Sequence, residues 1–239
     1  SRTRKSDNAK EMLDDYTGTL ITDAYITYQN LEQVTSAFCW AHVRRHFVNS
    51  IPLDSRGKEI PGSKGHEGRK YINKLFKIED AISDLDLEQR LQKRQDESKP
   101  LLEAFWIWVE KTKASFTTND DLIKALNYAS NHKENLMKFL NDSKVPLSNN
   151  RCESTIRPFA IHRRAWLFAD SVPGAVANAI LYSLVESARL NKLNIFEYMN
   201  YILSVITELD YKNNPDVLDE LMPWSESLPE ICTNSPETE

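Results

Sequence analysis

The period of hydrophobic and polar positions changes along the chain, and each change marks a different kind of element. "GTLITDAYITY" (residues 18–28) alternates like a strand after Gly18 and then meets Asp23. Asp23 can close that strand and cap a helix through "AYITYQNL". "VTSAFCW" (34–40) is a second short run, β-branched and aromatic. In "AHVRRHFVNS" (41–50) the period becomes helical, with Val43 and Phe47 at i, i+4 on one face. Residues 52–66, with two Pro and three Gly, predict a loop.

From 67 to 142 the helical period is nearly continuous. Tyr71, Leu75, Ile78 and Ile82 share one face, and Leu122, Leu126, Leu136 and Leu140 are further core candidates. Pro100 either begins a new helix or kinks a long one. This block patterns as a helical insertion rather than as a sheet. "VPGAVANAILYSLVESARLNKL" (172–193) predicts an amphipathic helix with Pro173 at its start and a small-residue stripe of Ala175, Ala179 and Ser183. "NIFEYMNYILSVI" (194–206) predicts another, capped by Asn194. Beyond it, little pattern survives except "DVLDELM", which reads as a mobile tail.

Composition narrows the class. Hydrophobic residues are 41% and charged residues 27% of 239, ordinary for a globular protein. The longest apolar run, "AFWIWV", is far too short to span a bilayer, so no membrane partner is expected. The opening "SRTRKSDNAK" is polar and basic, unlike a signal peptide, and lacks an initiator Met, as a piece of a longer protein would. Three dispersed Cys argue for a reducing compartment. The net charge of −5 hides an asymmetry: from Glu208 onward nine acids face Lys212 alone, so residues 1–207 are net basic. A basic body is compatible with a polyanion. Six Gly leave little room for a phosphate-cradling loop, and no G-x-S-x-G or H-E-x-x-H motif occurs.

Two acids stand at element boundaries. Asp23 ends the first strand, and Glu153 lies in the first turn of a helix entered through Asn149 and Asn150. Divalent-metal chemistry on phosphodiesters needs clustered carboxylates of this kind. Asn150-x-x-Glu153 also fits a capping box, a pattern repeated in Asn194-x-x-Glu197, and Asp23 also fits a plain N-cap. Arg157, at i+4, suits an ion pair with Glu153. Arg163 and Arg164, with Arg44 and Arg45 on another helix, suit either phosphates or a solvated charged face. "CWAHVRRH" places Cys39, His42 and His46 at metal-ligand spacing, but a zinc site needs a second ligand pair that the sequence lacks. Cys39 then reads as a buried apolar residue.

Taken together, "GTLITDAYITYQNL…TSAFCWAHVRRHF" and "VPLSNNRCESTIRPFAIHRRAWLFADSVPGAVANAILYSLVESARLN", with helices between, resemble the insertion-sequence-66 family of transposases. The resemblance covers nearly the whole chain except the acidic tail. It implies an α/β, helix-dominated fold: a partial RNase H-like catalytic core interrupted by a large helical insertion. The expected segments are 1–51 (first part of the core), 52–145 (loop and insertion), 146–207 (C-terminal core helices) and 208–239 (acidic tail).

It further implies an Asp-Asp-Glu triad with two Mg²⁺ or Mn²⁺ ions. Asp23 in "TDAY" takes the second acid's place and Glu153 in "NNRCE" the third, both as metal ligands. The first Asp falls upstream of Ser1, so these 239 residues alone are expected to be inactive or nearly so. The family's usual "DGY" is "DAY" here, with Ala24 in place of Gly. Arg44, Arg45, Arg157, Arg163 and Arg164 become candidates for DNA binding, with His42, Asn149 and Asn150 in support. DNA is the implied partner, with a homo-oligomer on DNA and accessory proteins of the same element as further partners, in the bacterial cytoplasm at the nucleoid. The rival readings are a non-catalytic DNA-binding or assembly fragment, a metal nuclease of the same fold, and a pure helical scaffold.

Overall fold

The computed structural model describes residues 6–29, 31–162 and 171–233. After a short helix α1 (Ser6–Met12), β1 (Thr19–Thr22) and β2 (Thr35–Phe38) pair in parallel, Thr19 opposite Thr35 through Thr22 opposite Phe38. Residues 23–34 make the crossover, near the minimum length a parallel connection tolerates. They hold one helical turn, α2 (Ile26–Gln29), shorter than the sequence pattern suggests. Its late start has a local reason: Ala24 has φ 65°, a left-handed conformation that cannot be part of a right-handed helix.

Helix α3 (Trp40–Asn49) follows β2 directly and buries Trp40, Val43 and Phe47, the face its i, i+4 spacing predicts. The loop ends earlier than expected, because Ser63 caps α4 (Lys64–Ala81) by accepting a hydrogen bond from the His66 amide. Helix α5 (Leu87–Lys93) widens into a π turn, Arg94–Ser98, that runs into α6 (Lys99–Lys113). Pro100 sits in the first turn of α6, two residues past the π turn, so its missing N–H falls where the regular i to i−4 ladder is already interrupted. Helices α7 (Asp120–Asn131) and α8 (Lys133–Met137), then a 3₁₀ turn (Lys138–Leu140), complete the series.

The helical insertion does not stand apart from the strands. Residues 1–151 form one compact unit, in which Trp40, Val43 and Phe47 share a core with Ile72 and Leu75 of α4, Phe105 and Val109 of α6, and Leu122 and Leu126 of α7. Close approach of α3 and α4 depends on Gly68, where a Cβ would strike the Phe47 ring. Trp40 Nε1 donates to the Leu136 carbonyl at 2.9 Å, and Asn135 Nδ2 to the Ser36 carbonyl at 2.9 Å, tying α8 to β2 and α3.

Arg94 anchors the insertion internally. Only 1% exposed, it donates Nε and Nη2 to the Glu79 carboxylate (2.9 and 2.6 Å) and Nη1 to the carbonyls of Phe139 and Asp142 (2.8 and 2.9 Å).

The second unit, residues 152–239, takes in most of α9 (Asn150–His162) with α10 (Val172–Leu190) and α11 (Ile195–Val205). Ser171 and Asn194 cap α10 and α11. The small-residue stripe of Ala175, Ala179 and Ser183 is exposed. The acidic segment, expected to be mobile, is folded through Thr233. A 3₁₀ turn (Pro215–Leu221) and α12 (Glu230–Thr233) bring Leu221 and Cys232 into burial, Cys232 against Ala188, Leu193, Tyr198 and Ile202. The Tyr198 hydroxyl donates to the Leu221 carbonyl at 2.9 Å, and the Asn194 amide to the Cys232 carbonyl at 2.8 Å. Among the described residues no helix is long and apolar enough to cross a membrane.

Candidate functional site

Asp23 stands at the carboxyl end of β1, the end of a parallel strand where α/β folds gather ligands. Its side chain is exposed, and Oδ1 accepts a hydrogen bond from the Tyr25 amide at 3.1 Å. That contact makes Asp23 the head of a tight turn rather than the cap of a long helix. The turn is held from both sides. Thr22 Oγ1 accepts from the Ala24 amide at 3.3 Å, and the Tyr128 hydroxyl, on α7, donates to the Asp23 carbonyl at 3.1 Å.

Tyr128 belongs to a group of rings beside the acid. His46 of α3 lies against its face, with centroids 4.3 Å apart and planes inclined by 30°, and His132 meets its edge at 4.8 Å. Burial, then the charges of Asp23 and Cys39, pushes the Tyr128 phenol up to about 12, so it remains a donor across the neutral range. His46 is held below the ordinary imidazole value by burial and then by the neighbouring His42, Arg45 and His132; burial lowers His132 as well. Both imidazoles are therefore biased toward the neutral form. His42 is near enough to His46 to act on it electrostatically, and Cys39 is fully buried.

Sequence reasoning finds neither Tyr128 nor His132 here. Each is a single polar ring in a helical pattern, about a hundred residues from Asp23.

Glu153 lies one turn into α9, half-buried, at the end of a helix that favours negative charge. Arg157 is exposed one turn further along, followed by Pro158 within the helix. Asn149 immediately precedes α9; its side-chain Oδ1 is buried with no hydrogen-bond partner among the described residues. Asn150, the first residue of α9, lines a cavity together with Arg44 and Arg45 of α3 and Asn73, Phe76 and Lys77 of α4. Arg163 and Arg164 lie outside the described residues.

Asp23 and Glu153 fall in different compact units. Among the described residues no group of three or more His, Cys, Asp or Glu is placed to hold a metal ion, and Cys39, His42 and His46 form no zinc site there. The exposed Asp23 and the half-buried Glu153 each carry carboxylate oxygens, a donor type that suits a hard cation such as Mg²⁺ or Mn²⁺.

Comparison with known proteins identifies the family. Residues 1–177 match the family described as "Transposase IS66 family". Three curated proteins from Sinorhizobium fredii (strain NBRC 101917 / NGR234) are similar over almost the whole chain. Uncharacterized protein y4hP is 31% identical over 238 residues, covering 94% of this chain and 42% of that protein. Uncharacterized protein y4jD is 27% identical, covering 94% and 44%, and uncharacterized protein y4qI is 26% identical, covering 93% and 41%. The chain thus spans less than half the length of these relatives. No solved structure matches it. The chain belongs to the IS66 family of transposases.

Proposed function

We propose that this chain contributes the second and third acids of a metal-dependent DNA transposase, whose core is RNase H-like and whose first acid comes from outside these 239 residues. The observation that carries the reading is Asp23. It stands at the carboxyl end of a parallel strand with its carboxylate open to solvent and its backbone braced by Tyr128, at the position that the family resemblance assigns to the second acid.

Two divalent cations, when bound, supply Lewis-acid stabilisation of the attacking and leaving oxygens of the phosphodiester. Asp23 and Glu153 would hold them. The turn at residues 22–25 fixes the direction of the Asp23 carboxylate, and the first turn of α9 carries Glu153. Tyr128, with the rings of His46 and His132 packed against it, braces the backbone of the turn that carries Asp23. Arg44, Arg45 and Arg157, with Arg163 and Arg164, grip DNA phosphates. The reaction is hydrolysis at the transposon end, followed by attack of the freed 3′-hydroxyl on target DNA. The protein works on DNA as a homo-oligomer, with accessory proteins of the same element as further partners, in the bacterial cytoplasm. The segment roles 1–51, 52–145, 146–207 and 208–239 stand within this proposal, with 52–145 sharing the core of 1–51.

The test is Asp23→Asn and Glu153→Gln in the complete transposase. Each should reduce Mg²⁺-dependent end cleavage and joining by at least about 10³-fold, the loss expected when a metal-directed electrostatic contribution of roughly 4 kcal/mol is removed. DNA affinity should change much less. Cleavage that survives both substitutions would overturn the proposal. Salt-dependent DNA binding without metal-dependent cleavage in the unsubstituted protein would favour a DNA-binding or assembly role instead.

A further inference from the structure

The open cavity between α3 and α4 has a volume of about 560 Å³ and a pronounced charge bias. Arg44, Arg45 and Lys77 line it, and among the described residues no acidic one does. Arg44, Arg45 and Lys77 form no ion pair among the described residues, and all three are exposed. Two other cations of α4 are paired, Lys64 with Glu67 at 2.8 Å and Arg69 with both oxygens of Glu59, while Lys70 and Lys74 have no ion pair among the described residues. The cavity therefore collects cations that have no ion-paired acid among the described residues, with Arg44 also within electrostatic reach of Glu59.

It also orients one of them. Arg44 Nε donates to Asn73 Oδ1 at 2.7 Å, which fixes the guanidinium plane and leaves its terminal nitrogens free of that contact. Asn73 and Lys77 are i, i+4 on α4, so both present the same face to the cavity. Phe76 adds an apolar wall, and Asn150 adds an amide at the start of α9. A set of cations with one preoriented fork, amide donors and an apolar side matches a phosphodiester with its sugar.

We propose that this cavity is a DNA-backbone site. Phosphates pass between α3 and α4, with Asn73 and Lys77 of the insertion acting beside Arg44 and Arg45. The insertion is then part of the DNA track as well as part of the core. Lys74 and Lys70 lie about one and two turns before Lys77 on the same helix, and both are exposed. This rests on the reading above that DNA is the substrate.

The test measures DNA affinity of the chain against salt by fluorescence anisotropy, for the unsubstituted protein, Lys77→Gln, Arg44→Gln/Lys77→Gln, and a control, Lys111→Gln on α6. Circular dichroism confirms that each variant is folded. Each lost phosphate contact should make the slope of log K against log salt shallower by about 0.9. Raising salt from roughly 50 to 200 mM then weakens Lys77→Gln by about threefold less than the unsubstituted chain, and the double variant shows about twice that slope change. Lys111→Gln should keep the full slope. If the unsubstituted chain binds DNA but both cavity variants keep its slope, the cavity is not a phosphate site and the DNA reading stands. If the unsubstituted chain shows no salt-dependent affinity for DNA, the DNA reading falls and this inference with it.

Discussion

Replacing Ala24 with glycine should stabilise the protein, although the site is the turn that carries Asp23. Ala24 holds φ 65°, a region where an L side chain costs about 1–2 kcal/mol because its Cβ crowds the following carbonyl oxygen. Glycine removes that cost. Against it stand the larger backbone entropy that glycine loses on folding, about 0.5–1 kcal/mol, and part of a methyl contact, since Ala24 is half-buried against the core. The balance favours Ala24→Gly by about 0.5 kcal/mol. For a unit of this size that is a rise of about 1–2 °C in Tm.

Ala24→Val supplies the contrast, because a β-branched residue is a poorer occupant of this region and should lower Tm by several degrees. Thermal melts followed by circular dichroism on the two variants and the unsubstituted chain decide the matter. At an ordinary extended or helical position the order reverses, and glycine lowers stability by about 0.4–1 kcal/mol. A melting order in which valine exceeds alanine and alanine exceeds glycine would refute the left-handed turn. The same variant should retain the metal-dependent activity of the complete protein, because the hydrogen bonds to Thr22, Tyr25 and Tyr128 involve atoms that glycine keeps or that lie on neighbouring residues.

Two other substitutions probe the architecture around this turn. Arg94→Met leaves the nearly buried Glu79 carboxylate and two carbonyls without donors, so it should cost about 3–5 kcal/mol in urea unfolding. The paired change Glu79→Leu/Arg94→Met should recover more than half of that. A loss below about 1 kcal/mol for the single variant contradicts the anchoring role. Tyr128→Phe removes one hydrogen bond, worth roughly 0.5–1.5 kcal/mol, and should slow cleavage by the complete transposase about threefold to tenfold at unchanged KM. A changed KM with unchanged kcat would assign Tyr128 to substrate binding instead.

The helical faces were legible because periodicity records which side of an element is buried. Val43 and Phe47, and the four leucines of α7, α8 and the following 3₁₀ turn, are buried as their spacing predicts. Periodicity does not record the partner. Nothing in the pattern of α3 says that it packs on α4 and α7, so an insertion inferred from helical patterning turns out to share its core with the strands. The docked acidic segment escaped notice for a related reason. Leu221 lies in the short run "DVLDELM" and Cys232 follows Ile231 eleven residues from Leu221, runs too short to reveal what they pack against, yet both residues are buried. In the candidate site, the acids stand out because family motifs surround them. Tyr128 and Lys77 sit in helices with no motif, and only the folding of distant segments brings them to Asp23 and Arg44.

The hydrogen bonds that tie the insertion to the strands also set an order in time. Trp40 to Leu136, Ser36 to Asn135 and Asp23 to Tyr128 join residues 96, 99 and 105 positions apart. At roughly 5–20 residues per second, a ribosome delivers Tyr128 about 5–20 s after Asp23. Until then the strand ends and their acid exist as nascent chain without the brace that fixes them. Closing such long loops is slow compared with forming any one of the helices between them. The turn that bears Asp23 is therefore synthesised well before the residue that braces it, and the brace forms only once the helices between them are made.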